Sequence, residues 1–145
     1  MNDRLKELYK SVILSHHHNP VGFEIREDAS QELEAYNPLC GDKFRLFFDI
    51  NDGKISDIHF HGYGCAISKA STSVLVETLK GKTLEEAREL CAEFMQYVSP
   101  EAEPLEHRRE NFEAFSAARE FPGRLKCATL SWDAMREFIG QTKQE

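Results

Sequence analysis

Apolar side chains recur at Leu5, Leu8, Val12 and Ile13, and this helical period predicts an amphipathic helix over residues 3–14. The run HHHNPVG breaks it, because Asn19-Pro20 and Gly22 stop helices. Three adjacent histidines on an extended or fraying segment point apart, which fits a surface or capping role better than a metal site. From Lys43 the period becomes two. Phe44, Leu46, Phe48 and Ile50 alternate with Lys43, Arg45, Phe47 and Asp49, which reads as a strand with one buried face, that of the first four. Asn51-Asp52-Gly53 is a hairpin turn, and KISDIHFHG returns as the second strand. Ile55 is out of register with Ile58 and Phe60, which predicts a bulge near Ser56-Asp57. His59 and His61 share the opposite face, where solvent or edge exposure is expected.

Helical patterning dominates the rest. GYGCAISKASTSVLVETLKG turns sharply at Gly62 and Gly64 into a helix that Gly81 can end. Thr83 and Glu86 form a capping box for a further helix through about Val98, with Leu84, Ala87, Cys91, Phe94 and Val98 as its core stripe. SPEAEP reads as a loop, and residues 105–119 as a helix carrying Phe112 and Phe115. Pro122-Gly123 precedes a last helix with Leu130, Trp132, Ala134, Met135, Phe138 and Ile139 as its apolar surface. The expectation is a single α+β domain over 1–145: a small antiparallel sheet of about three strands packed with several helices.

Composition narrows the class. A chain of 145 residues, 41% apolar with ten phenylalanines, has material for one packed core. A formal charge of −7 argues against general nucleic-acid binding, which needs cations to neutralise phosphates. The longest apolar runs are about three residues, far short of the roughly 20 that span a bilayer. The mixed charges of MNDRLKELYKSVIL are not those of a secretory signal, so a cytoplasmic protein without membrane association is expected.

In that compartment cysteines stay reduced, and Cys40, Cys65, Cys91 and Cys127 point to metal binding or reactivity before disulfides. Cys91 falls in the helical seam and reads as a small buried hydrophobe. Cys40 lies in the turn NPLCGD, Cys65 at a strand-to-helix turn and Cys127 near a helix start. Helix N-termini favour an anion and lower a thiol's pKa. With Asp42 these make four anionic groups, enough for tetrahedral zinc. Spacing alone is weak support, since there is no C-x-x-C pair and the separations are 25 and 62 positions.

NPLCGD, GYGCAIS and RLKCATLSW, in this order, resemble the SufU/IscU (NifU N-terminal) family of iron–sulfur assembly proteins. LYKSVILSHHHNPVGFE is similar to the family's leader, with Ser15 and His17 in place of the commoner Asp and Tyr. Lys126 stands where IscU-type scaffolds place a histidine before the third cysteine, and a helical insert separates Cys65 from Cys127. Both features resemble the SufU branch. The resemblance implies zinc held by Cys40, Asp42, Cys65 and Cys127, with Cys40 accepting sulfane sulfur from a SufS-type cysteine desulfurase. It implies a zinc-dependent sulfurtransferase that stimulates the desulfurase and serves downstream Suf cluster-assembly components.

Four protein ligands make a closed zinc site, so sulfur transfer requires one to leave. Cys40, beside a glycine in a turn, is the candidate, and a partner histidine is the substitute ligand in the SufU pattern. Asp42, a harder ligand than a thiolate, keeps the site exchangeable. Arg124, three residues before Cys127, is a candidate stabiliser of the freed Cys40 thiolate or persulfide, while Lys126 reads as solvent-facing or at the partner surface and not as catalytic. The competing readings are an IscU-like scaffold that binds iron or an iron–sulfur cluster transiently, and a zinc-stabilised interaction module. A zinc hydrolase is set aside, because H-E-x-x-H and a general base beside the cysteines are missing.

Overall fold

A computed structural model describes residues 1–99 and 109–142. The chain opens with α1 (Asp3–Leu8), capped where Asn2 Oδ1 accepts the Leu5 N–H at 2.8 Å. A π-helical segment, Tyr9–Leu14, leads directly into α2 (Ser15–His18). The helix therefore outruns the expected residue 14 and includes the three histidines. His16 explains the extension: its Nδ1 lies 2.7 Å from Ser73 Oγ, which gives the last turn a tertiary partner. Asn19, non-helical at φ −130°, and Pro20 then end it.

The sheet is antiparallel in the order β1 (Gln31–Tyr36), β2 (Lys43–Asn51), β3 (Lys54–Tyr63). Asp52 and Gly53 both adopt positive φ, 54° and 73°, so the two-residue turn matches the twist of its strands. The bulge falls where expected: Asp49 pairs with Asp57 but Ile50 pairs with Ile55, leaving Ser56 unopposed. That extra residue turns Ile55 into the core beside Ile58 and Phe60. β1 escapes sequence patterning because only Leu33 and Ala35 supply an apolar face. Its glutamates pair instead with β2, Glu32 with Arg45 and Glu34 with Lys43.

Three side chains on the far face differ from expectation. Phe47 is buried rather than exposed, covered by the Arg45 guanidinium 4.8 Å from its ring. His59 is largely buried between Glu24 and Asp57, at 3.7 and 3.5 Å, and His61 stacks on Phe23 at 4.5 Å. Residues 22–24 bring this cover by running along β3. Phe60 N–H donates to Gly22 O, and Glu24 N–H to Phe60 O, both at 2.9 Å, which shields the sheet edge.

The other face of the sheet packs on helices α3 (Ala66–Leu79) and α6 (Leu125–Thr142), and α4 (Leu84–Val98) packs on α6. The Thr83–Glu86 capping box is formed on both sides. Cys91 is fully buried in the α4 seam, as its spacing predicts. Phe94 stacks on Trp132 at 4.2 Å, and Phe112 meets Trp132 edge-on at 5.2 Å.

The helix expected over 105–119 is different in kind. Its described part comprises α5 (Glu110–Glu113) and a 3-10 run, Ala114–Glu120. The tighter three-residue repeat places Ala114 over Ala117 and Phe115 over Ala118, all four buried. The start of that helix and the SPEAEP loop after Ser99 lie outside the described residues. Among described residues no helix is long and apolar enough to cross a membrane.

Candidate metal centre

The loop between β1 and β2 is NPLCGD. Gly41 turns it at φ +80°, which leaves Cys40 exposed and Asp42 almost fully buried. Cys65 stands at the N-cap of α3, and Cys127 is buried in the first turn of α6, so both helix starts lie where the sequence places them. These segments converge. Donor atoms of Cys40, Asp42 and Cys127 lie within 4.8 Å of one another, and the Cys40 and Cys127 sulfurs are 4.0 Å apart. Cys65 borders this group, with its sulfur 3.8 Å from Asp42 Oδ2. Cys91 stays apart in the core.

Asp42 is held from the helix side. Its Oδ1 accepts the Cys65 N–H at 3.2 Å, at the positive end of α3. The close approach needs Gly64: a Cβ there would lie 3.0 Å from Asp42 Cγ and 2.4 Å from Ser68 Oγ. Ser68 hydroxyl donates to Cys65 O at 3.1 Å and sits 3.6 Å from its sulfur, bracing a residue that spacing alone does not mark.

The two helix starts are locked together by buried hydroxyls. Ser71 hydroxyl donates to Ala128 O at 2.5 Å and accepts Trp132 Nε1–H at 3.0 Å, while Thr72 and Ser131 hydroxyls share a 2.7 Å bond.

Electrostatically the site is overloaded with acids. Burial pushes the Cys127 thiol well above its ordinary range, and neighbouring Asp42 and Cys65 add to the shift. Arg124 is the cation at hand. It lies in the 3-10 turn Pro122–Arg124, exposed, and its nearness to Cys127 and Cys65 raises its pKa above the ordinary value. Lys126 is exposed, as anticipated.

The donor set fits zinc. Sulfur and carboxylate are ordinary zinc ligands, and two thiolates bonded at ~2.3 Å in a tetrahedron stand about 3.8 Å apart. The observed 4.0 Å between Cys40 and Cys127 is close to that span. Asp42 Oδ2 faces the cysteines while Oδ1 is bound to backbone.

A three-stranded antiparallel sheet covered on one face by helices, with cysteines from a loop and two helix starts converging on an aspartate, defines the class. The family model described as the NifU-like N terminal domain matches residues 8–128, and the chain belongs to that family. It is 35% identical over 144 residues to the zinc-dependent sulfurtransferase SufU of Bacillus subtilis, covering 99% of this chain and 96% of that one. It is also 35% identical over 136 residues to the iron–sulfur cluster assembly scaffold protein IscU of Streptococcus pyogenes, covering 94% and 85%. Among solved structures, that of FiSufU from Fervidobacterium islandicum superposes with a TM-score of 0.79 at 32% identity, over 89% of this chain and 94% of that one. A NifU-like protein of Brucella abortus, at 21% identity and a TM-score of 0.80 over 99% of both chains, shares the fold.

Proposed function

We propose that this chain is an iron–sulfur cluster assembly protein that accepts sulfane sulfur on Cys40 from a cysteine desulfurase of the SufS type and carries it onward. The observation that carries this reading is an exposed thiol at the tip of a turn, seated 4.0 Å from a buried one beside a buried carboxylate. Cys40, Asp42, Cys65 and Cys127 would hold zinc, which when bound keeps its thiol ligands deprotonated at neutral pH.

Cys40 sulfur attacks the terminal sulfur of the donor's cysteine persulfide. The donor's S–S bond breaks, its cysteine leaves as a thiolate, and Cys40 ends as a persulfide with no net oxidation. Among the candidate ligands Cys40 is the one suited to this step, because it alone is exposed while Asp42 and Cys127 are buried and Cys65 is tied to α3. Arg124, near Cys127 and Cys65, offsets the charge of the thiolates that stay behind. Substrate sulfur on one cysteine, acting with a partner enzyme, makes the chain a zinc-dependent sulfurtransferase of the cytoplasm.

The test is desulfurase turnover measured with and without this protein, zinc-loaded and zinc-stripped, together with the mass of the Cys40 peptide. Zinc-dependent stimulation and one added sulfur on Cys40 are expected. Unchanged turnover, or sulfur on Cys65 or Cys127 instead, rejects the reading. The same thiols on a scaffold would instead yield purified protein containing iron and sulfide.

A further inference from the structure

We infer that Asn37 is the positioning residue for Cys40, holding the acceptor turn so that its sulfur faces Cys127. The inference rests on the reading of Cys40 as ligand and acceptor. Asn37 is 8% exposed, an unusual burial for an amide at a strand end. Its N–H donates to Asp42 O at 2.9 Å and its O accepts the Gly41 N–H at 2.8 Å, which closes the six-residue loop at its base. Its side chain then reaches inside the loop, where Oδ1 accepts the Leu39 N–H at 3.1 Å. This is an Asx-type turn, in which the side chain stands in for backbone. It braces the residue immediately before Cys40, whose sulfur lies 4.0 Å from Asn37 O.

The rest of the loop offers little restraint. Leu39 is 89% exposed, Pro38 and Cys40 are exposed, and a Cβ at Gly41 would meet nothing within 4 Å. Backbone closure at Asp42 fixes where the loop ends, and the Asn37 amide fixes where its tip points. Asn37 therefore acts on sulfur chemistry through Cys40 without touching the reacting atoms. Cys65, anchored at α3, is independent of it.

Three variants, Asn37→Ala, Asn37→Ser and Asn37→Asp, test this. The readouts are zinc release to a chelator, iodoacetamide alkylation of Cys40 relative to Cys65 in zinc-stripped protein, and thermal midpoint. Loss of one such hydrogen bond is expected to speed zinc release and Cys40 alkylation about five- to tenfold in Asn37→Ala, with Cys65 unchanged. Asn37→Asp, which keeps the acceptor oxygen, should stay within about twofold of the native protein, with Asn37→Ser between them. Native behaviour of Asn37→Ala in both readouts overturns the inference, and so does Asn37→Asp matching Asn37→Ala. Should Asn37→Ala not fold, the comparison of Asn37→Ser with Asn37→Asp decides in the same way. A native protein that retains no zinc would reject the ligand set, and the alkylation ratio would still decide the role of Asn37.

Discussion

The hydroxyls of Thr72 and Ser131, 59 positions apart in sequence, meet at 2.7 Å in a seam closed to water between α3 and α6. Cys65 precedes the first residue of α3 and Cys127 lies in the first turn of α6, so this bond and the adjoining Ser71–Ala128 and Trp132–Ser71 bonds set how the two thiols face each other. A purely apolar seam would stabilise the helix pair through area alone and leave its register less defined.

Ser71→Ala should therefore cost about 1–3 kcal/mol in urea unfolding, because it strands the Trp132 indole N–H in a dry environment. Thr72→Val and Ser131→Ala should each cost less when the other is already present, since one bond serves both. Additive losses in this double-mutant cycle would show that the two hydroxyls do not act together.

Asp42→Ala removes a candidate zinc ligand and also the acceptor for the Cys65 N–H. Zinc affinity, measured by competition with a chelator, should fall by at least ~10-fold, the lower end of what even outer-shell partners contribute. Unaltered affinity and unaltered sulfur acceptance would remove Asp42 from the ligand set.

Cys40→Ala should abolish stimulated desulfurase turnover, whereas Cys91→Ala should retain it. Burial raises the Cys91 thiol from the ordinary 9.0 to about 12, so the folded protein should not be alkylated there at mildly alkaline pH. The raised pKa stabilises the fold below 9, and that contribution is lost as pH climbs from 9 toward 12. Peptide mapping after alkylation, with and without denaturant, checks the protection.

His16 should make the N-terminal helix sensitive to acid. Val21 N–H donates to Ser73 Oγ at 2.7 Å, leaving that hydroxyl free to donate to His16 Nδ1, an arrangement suited to the neutral ring. Burial lowers the His16 pKa below its ordinary 6.5, with nearby Glu77 opposing the shift. Stability from the neutral ring is full above 6.5 and declines as pH falls through the lower folded value. The thermal midpoint should drop between about pH 7 and 5, and His16→Gln should flatten part of that drop. An equal slope in the variant would place the acid sensitivity elsewhere.

Legibility in the sequence followed the range of the interactions concerned. The capping box at Thr83–Glu86, the Asp52-Gly53 turn and the Ser56 bulge depend on neighbours within a few positions, and all three were readable. β1 was not, because its stability comes from pairing with β2 and from Glu32–Arg45 and Glu34–Lys43 contacts that a period-two search does not weigh. Phe47 and His59 were misplaced because long side chains cover an outward face, Arg45 of the same strand over Phe47 and Glu24 of another segment beside His59. The Ala114–Glu120 run looked α-helical, whereas in the fold it is a 3-10 repeat that buries Ala114, Phe115, Ala117 and Ala118.

The candidate centre divides along the same line. By itself the sequence marked the candidate side chains, since NPLCGD, GYGCAIS and RLKCATLSW each pair a cysteine with its own turn or helix start. Only the tertiary structure decided that Cys40 and Cys127, 87 positions apart, come within 4.0 Å, that Arg124 stands near Cys127 and Cys65, and that a buried Asn37 braces the turn. Local propensities act through a few residues of chain, whereas convergence of distant segments is set by the Phe94–Trp132 stack and the hydroxyl seam that hold the helices in place.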